Sequence, residues 1–290
     1  MKFFKKYFHY SSILILLISS LFVGYLAYAK GPSDGNFLKV AFLDIGQGDS
    51  IYIEAPNGKQ MLIDAGPGAT ILQRLPEVMP FGDRSIDMIM ETHADSDHIG
   101  GFAYVFSKYK IDDVIENGVE GKTTTYKKIE KEIKQDKLKK IIANNKMRIV
   151  LDKSPYIYLD ILYPNRDVSG LASNDGSIVA KLVDGKESFM LTGDATTWVE
   201  NQIIWKENPA ELEATVLKLG HHGSKTASSL MWLKAVSPNI AIISAGLNNR
   251  YHLPNQEILD RLKNLNIPYL ATYKEGNIIF KTDGVKLYKE

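Results

Sequence analysis

Thr92-His93-Ala94-Asp95-Ser96-Asp97-His98-Ile99-Gly100-Gly101 is the stretch on which the fold turns. It follows the apolar run Ile86–Glu91, which reads as a short strand. It precedes an apolar periodicity that predicts a helix over Ile99–Lys108. Four ligand-type side chains therefore stand on one loop between a strand's end and a helix's start. By chance, H-x-D-x-D-H should occur in about one chain in 2000 of this composition. Cysteine is absent, so any metal must be held by His, Asp or Glu, and His with Asp suits Zn2+, Mn2+ or Fe. The plainer alternative is a polar loop in which Asp95 or Asp97 caps the helix.

Two later segments repeat the pattern of an apolar strand that ends on glycine and then presents a ligand. Leu191-Thr192-Gly193-Asp194 projects a carboxylate, and Val216-Leu217-Lys218-Leu219-Gly220-His221-His222-Gly223-Ser224 projects two imidazoles. Adjacent side chains on an extended chain point opposite ways. One histidine of the pair would bind metal and the other would face the substrate, and the residues alone do not say which. His9 lies near the N-terminus, and the other five histidines fall at three places: His93 and His98, His221 and His222, and His252. That grouping indicates a site, since core histidines would scatter.

Around these segments, Leu38–Asp44, Ser50–Glu54, Gln60–Asp64, Ile178–Val183, Phe189–Thr192, Thr215–Leu219, Ile240–Ser244, Tyr269–Tyr273, Asn277–Lys281 and Val285–Tyr288 read as strands. Pro56-Asn57-Gly58-Lys59 and Asp184-Gly185 read as hairpin turns. Helices are predicted over Thr123–Asn144, Thr196–Trp205, Ser228–Val236 and Pro254–Leu265. Strand-rich runs at both ends with interleaved helices predict a layered α/β domain over residues 38–290. Thr123–Lys140 is dense in lysine. It reads as a solvated helix face with Glu130 and Glu132 paired in, the alternative being a basic patch turned toward substrate.

The first thirty residues carry Lys2, Lys5, Lys6 and Lys30 and no acid, around an uncharged, mostly apolar stretch from Tyr7 to Ala29. Residues 1–30 therefore read as a signal peptide or an N-terminal membrane anchor, with the bulk of the chain outside, and 31–37 as a linker. Ala27-Tyr28-Ala29 has the form of a signal-peptidase site. From Gly31 onward 31 basic residues face 34 acidic ones, a net of −3, which excludes a globally basic nucleic-acid binder. A polyanionic substrate would have to be met by a local patch or by bound metal.

His93-x-Asp95-x-Asp97-His98 resembles the H-x-[HD]-x-D-H signature of the metallo-β-lactamase fold, and Asp64, in Leu62-Ile63-Asp64-Ala65-Gly66, matches that superfamily's early aspartate. Phe42-Leu43-Asp44-Ile45-Gly46-Gln47-Gly48-Asp49-Ser50, the LTGDA and LKLGHHGSKTASS segments, and Asn249-Arg250-Tyr251 with Pro254 are similar to the metallo-β-lactamase-like domain of ComEC-type DNA-uptake proteins. These motifs run in family order from Leu38 to about Lys281. Family members read Gly-His-Pro near the last motif, where this chain has His252-Leu253-Pro254. The superfamily's separate third-motif histidine has no counterpart between His98 and His221. With one apolar stretch, the chain is expected to be the hydrolase and not the channel of such proteins.

The resemblance implies a four-layer αβ/βα sandwich with two divalent ions, Zn2+ or Mn2+, at one sheet edge. His93 and Asp95 would hold one ion, and Asp97, His98 and His221 the other, with Asp194 bridging. Substituting Asp95 for a histidine hardens the site and moves preference toward Mn2+. The ions would generate the attacking hydroxide and clamp both oxygens of a phosphodiester. Asp97, His222 and His252 are the expected catalytic side chains, with the free histidine of the pair protonating the leaving group. Asp49 and Asp64 are expected to orient the ligand histidines from behind, and Asn174, Lys225 and Arg250 to contact substrate. The expected activity is that of an extracytoplasmic phosphodiesterase, foremost a nuclease on DNA, secreted or tethered to the membrane by its N-terminal segment, with no obligate protein partner. Cell-wall phosphodiesters such as phosphorylcholine on teichoic acid, a lactamase or lactonase activity, and a non-catalytic binding module are the alternatives.

Overall fold

The computed structural model describes residues 13–22 and 35–290. Residues 13–22 form α1, with exposed apolar side chains. Among the described residues no helix is long and apolar enough to cross a membrane. The signal or anchor reading of 1–30 otherwise falls outside the described residues.

The first sheet starts with β1 (Leu38–Phe42), β2 (Ile51–Glu54) and β3 (Gln60–Ile63), an antiparallel meander. It continues through three parallel neighbours, β4 (Ser85–Glu91), β5 (Lys110–Glu116) and β6 (Lys139–Ile142). The second sheet runs in chain order through β7 (Arg148–Lys153), β8 (Tyr156–Tyr163), β9 (Val179–Asp184) and β10 (Glu187–Leu191), all antiparallel. It then turns parallel through β11 (Val216–Lys218), β12 (Ile240–Ile243) and β13 (Tyr269–Ala271). The chain returns to the first sheet with β14 (Ile278–Thr282), antiparallel to β1, and β15 (Leu287–Lys289) beyond it.

Alternation along the strands explains the layering. In β1, Leu38, Val40 and Phe42 point between the sheets, while Ala41 points outward. In β12, Ile242 faces inward and Ala241 and Ile243 face outward. Strands buried on both faces need cover on both sides. The first sheet is covered by α2 (Ile71–Val78), α3 (Ser96–Ile99), α4 (Phe102–Val105) and α5 (Thr124–Gln135), the second by α6 (Thr197–Ile204), α7 (Pro209–Leu212), α8 (Leu230–Val236) and α9 (Gln256–Asn264). The result is the expected αβ/βα sandwich.

Three local expectations are corrected. The helix over Thr123–Asn144 stops at Gln135, because Lys137 turns left-handed (φ 54°) and Lys139–Ile142 pairs with β5 instead. Tertiary pairing here overrides helical propensity. The helix over Ile99–Lys108 is split into α3 and α4 at Gly100-Gly101, where the backbone passes so close to the preceding loop that a Cβ on Gly101 would lie 1.9 Å from the Ala65 carbonyl oxygen. The strand predicted over Tyr269–Tyr273 ends at Ala271, and α10 (Thr272–Glu275) follows. Strands β5, β7 and β8 were not anticipated.

Candidate metal centre

The ligand-type side chains come from the C-terminal ends of strands in both sheets and meet at the seam between them. Thr92 and His93 follow β4, Asp97 and His98 lie on α3, Gly193 and Asp194 follow β10, and His221 and His222 follow β11. The loop between β1 and β2 closes against α3. Gly48 has φ 131°, and a Cβ on it would stand 2.0 Å from the Asp97 carbonyl oxygen, so only glycine lets that loop in.

Asp64 organises the back of the site. Its carboxylate accepts from the Thr92 backbone N–H at 2.9 Å, from the Thr92 hydroxyl at 2.7 Å and from His98 Nδ1 at 2.7 Å. With its hydroxyl proton given to Asp64, Thr92 Oγ1 accepts from His93 Nδ1 at 3.1 Å. His222 Nδ1 donates to the Ser244 carbonyl at 2.9 Å. In all three rings Nδ1 is engaged from behind, which leaves Nε2 facing the centre with its lone pair.

Those Nε2 atoms of His93, His98 and His222 are buried and without a hydrogen bond, as is Asp194 Oδ1. Burying four such atoms unpartnered is costly. They converge: His98 Nε2 lies 3.3 Å from Asp194 Oδ1, and His222 Nε2 lies 3.5 Å from Asp194 Oδ2 and 3.4 Å from Asp97 Oδ2. His93 Nε2 is 3.7 Å from Asp95 Oδ2 and 3.9 Å from Asp194 Oδ2. Orphaned imidazole nitrogens aimed at one carboxylate are the donor set of a divalent metal centre, and the residues fit that group. Asp194 faces both histidine groups, Asp97 and His222 stand on one side of it, and Asp95 and His93 on the other.

The electrostatics agree. Burial opposes charging of His222, yet Asp194 and Asp49 outweigh it and push the ring up to about 9; Asp194 and Asp64 likewise outweigh burial to raise His98. His93 is driven down to about 4, by burial first and by His98 next. Asp97 is held down to about 2 despite its burial, by His222 and His98. The carboxylates thus set a negative field at the ring nitrogens, in which a bound cation would take the place of a proton.

Ligand-type atoms of Asp49, His98, Asp194 and His222 lie within 4.8 Å of one another. Asp49 nevertheless approaches the rings from their Nδ1 side, 3.3 Å from His222 Nδ1 and 3.9 Å from His98 Nδ1. Its other partner is the ammonium of Lys218, which is fully buried and also donates to the Gly193 carbonyl at 3.1 Å. Asp49 therefore orients rings from behind, with Lys218 balancing its charge. Sequence reasoning missed Lys218, although a lysine inside the apolar run Val216–Leu219 was a visible signal.

The adjacent histidines differ from expectation. They are not extended: both lie in the left-handed region, at φ 50° and 55°. Their placement is the reverse of the expected one. His222 is buried and presents Nε2 to the centre, whereas His221 is partly exposed at the rim. Asn174 Nδ2, which can only donate, lies 3.4 Å from His221 Nδ1, and the Thr226 hydroxyl lies 3.0 Å from it. An acceptor Nδ1 puts the neutral ring's proton on Nε2, 3.7 Å from Asp194 Oδ2.

Three expected contacts stay outside the cluster. His252 is exposed and its side chain has no hydrogen bond or ion pair to another described residue. Arg250 is exposed and stacks on Tyr251, and Lys225 is exposed, with only its backbone held, by Asn255. Their loops border the site, since Pro254 packs on Gly223 and the Gly246 N–H donates to Gln47.

The chain belongs to the metallo-beta-lactamase superfamily, whose model matches residues 43–246. It is 30% identical over 263 residues to "ComE operon protein 3" of Bacillus subtilis (84% of this chain, 33% of that protein). It is 29% identical over 279 residues to "Competence protein ComA" of Neisseria gonorrhoeae (93% and 37%). Both are ComEC-type competence proteins. The chain spans about a third of the length of these relatives. Among solved structures it is similar to a long form RNase Z from yeast, with a TM-score of 0.49 and 10% identity, covering 85% of this chain and 42% of that one.

Proposed function

We propose that this superfamily hydrolase is an extracytoplasmic, metal-dependent phosphodiesterase that cleaves DNA. The observation that carries the reading is the convergence of three buried, unpartnered histidine Nε2 atoms on Asp194. The similarity to competence proteins supports DNA as the substrate, and the basic, apolar character of residues 1–30 supports the location.

His93 and Asp95 would hold one divalent ion, Asp97, His98 and His222 a second, and Asp194 both. When bound, Zn2+ or Mn2+ supplies activated water and neutralises the oxygens of the diester. His221 holds a proton on Nε2 at the rim and delivers it to the leaving oxygen. Asn174 fixes that tautomer through Nδ1. Lys225 and Arg250, free at the border, bind flanking phosphates. Asp64, Asp49 and Lys218 hold the rings in place.

The test strips the purified chain of metal, reloads it with Mn2+ or Zn2+, and incubates it with single- and double-stranded DNA beside an Asp97→Ala control. Metal-dependent cleavage that the control lacks is the expected result. Two metals bound without cleavage would overturn the DNA reading and direct the assay to cell-wall phosphodiesters. No metal bound would overturn the hydrolase reading in favour of a binding module.

A further inference from the structure

The lysine-rich segment was expected to be a solvated helix face with Glu130 and Glu132 paired in. The face is solvated and Glu130 is paired, but Glu132 is not. Lys140 alone is tied in, to Glu130 and Glu116. Lys127, Lys128, Lys131, Lys134, Lys137 and Lys139 are all exposed, and none has a hydrogen bond or ion pair to another described residue. Glu132, the acid expected to pair among them, has no such partner either. Elsewhere exposed cations do find partners, as in Arg148–Asp160, Lys110–Asp112 and Lys289–Glu275.

The helix itself gains nothing from this arrangement. Its buried stripe is Tyr126, Ile129 and Ile133. Lys127, Lys131 and Lys134 fall four and then three positions apart on the opposite side, a spacing at which like charges repel and weaken a helix. Seven lysines against Glu130, Glu132 and Asp136 give residues 123–140 a net of +4, a local positive field in a chain that is net negative beyond its first thirty residues.

The helix that carries these lysines packs against the frame of the metal centre. α5 packs against α3, which carries Asp97 and His98. Asn117, in the loop that leads into α5, donates to the Gly176 carbonyl at 2.9 Å, and a Cβ on Gly176 would press on Val119 at 2.8 Å. That contact sets the loop leading into α5 against the turn holding Asn174, whose amide reaches His221. Thr123 then caps α5 by accepting from the Tyr126 N–H at 3.1 Å. From there the twelve-residue helix runs about 18 Å.

We infer that the exposed lysines of α5 and of the entry to β6 form a docking track for the sugar-phosphate backbone of a nucleic-acid strand whose scissile phosphate lies in the metal centre. The inference rests on the phosphodiesterase reading and deepens it. The enzyme is built for a polymer, gripping phosphates several nucleotides from the one it cleaves, and a small diester bypasses the track.

The experiment compares the full chain with a variant carrying Lys127→Gln, Lys128→Gln, Lys131→Gln and Lys134→Gln, all at exposed positions, with matched thermal melting as the folding control. Binding of a labelled phosphorothioate 30-mer, which resists turnover, is followed from 50 to 300 mM salt. Each lost backbone contact removes about 0.7 from the slope of log K against log salt for a single strand. The variant is expected to have a slope shallower by about 3 and to cleave DNA at least tenfold more slowly at 150 mM salt. Turnover of bis(p-nitrophenyl) phosphate should stay within twofold. An unchanged slope and unchanged DNA cleavage overturn the track while leaving the phosphodiesterase reading intact. A lost slope in a chain that cleaves no diester upholds the track and overturns that reading instead. If the lysines govern binding to phosphatidylglycerol vesicles and not to the 30-mer, the surface serves a membrane and the inference fails.

Discussion

The loop after β4 holds His93, Asp97 and His98 on ordinary backbone, with α3 starting at Ser96; the loop after β11 holds His221 and His222 both at positive φ. In the first loop, the change from strand end to helix start sorts the side chains, His93 lying before α3 and Asp97 and His98 on it. In the second, neighbouring residues are separated by backbone conformation: one ring is driven into the seam and the other onto the rim. Strained backbone of this kind persists only where the surroundings hold it. Here the Ser244 carbonyl behind His222, and Thr226 with Asn174 beside His221, do so. A motif can thus announce that a site exists while the backbone decides what each member does.

The sharpest way to break this comparison is to exchange the roles. His222→Ala is expected to lose bound metal, counted by elemental analysis, and to lower turnover by roughly a thousandfold or more, as for a loss of the reactive assembly itself. His221→Ala is expected to keep its metal and lose about 100-fold or more in kcat, the range for a proton donor. Metal lost from the second variant and kept by the first would restore the opposite assignment.

Next in size is the ion pair behind both loops. Lys218→Met leaves Asp49 buried without its cation, and breaking such a pair costs about 3–5 kcal/mol. Denaturant unfolding of the metal-free chain measures it. A variant as stable as the parent would mean that the rings alone satisfy Asp49. Asp64→Asn, which acts on the first loop only, is expected to weaken metal binding about 10–100-fold and leave the fold intact, read by competition with a chelator. The smallest effect belongs to His252→Ala. With the side chain exposed and without a partner, kcat/KM is expected to stay within about twofold, as for surface substitutions generally. A hundredfold loss would show that the loop carrying it folds over the site when substrate binds.

How far the sequence could be read follows the same division. H-x-D-x-D-H after an apolar strand was legible because the ligand types are rare and the strand's end fixes where they go. Asp194 and the histidine pair were legible by repetition of that device. The exchange of His221 and His222 was hidden, since non-glycine residues seldom turn left-handed and nothing in the pair's composition marks it. Strand β6 was hidden by lysines that favour helix, and only its parallel pairing with β5 makes it a strand. Strand β7 falls where the apolar alternation is broken by Asp152 and Lys153, whereas β8 keeps a regularly alternating buried face that was legible and went unread. Lys218 stood out as a lysine inside an apolar run, but its partner, Asp49, lies far from it in the chain and could not be paired with it from the sequence.

The pairing of β1 with β14 carries a consequence for how the chain is made. Leu38 lies opposite Thr282, and Phe42 opposite Ile278. During synthesis β1 can pair with β2 as soon as both have emerged, but its other flank stays an open edge until β14 has followed. Unprotected edges recruit other strands, and contacts closed across so many residues form late. The half of the molecule that supplies His93, Asp97 and His98 therefore stays unsealed until β14 arrives, long after β1. That open flank of β1 is where misassembly into larger aggregates would begin.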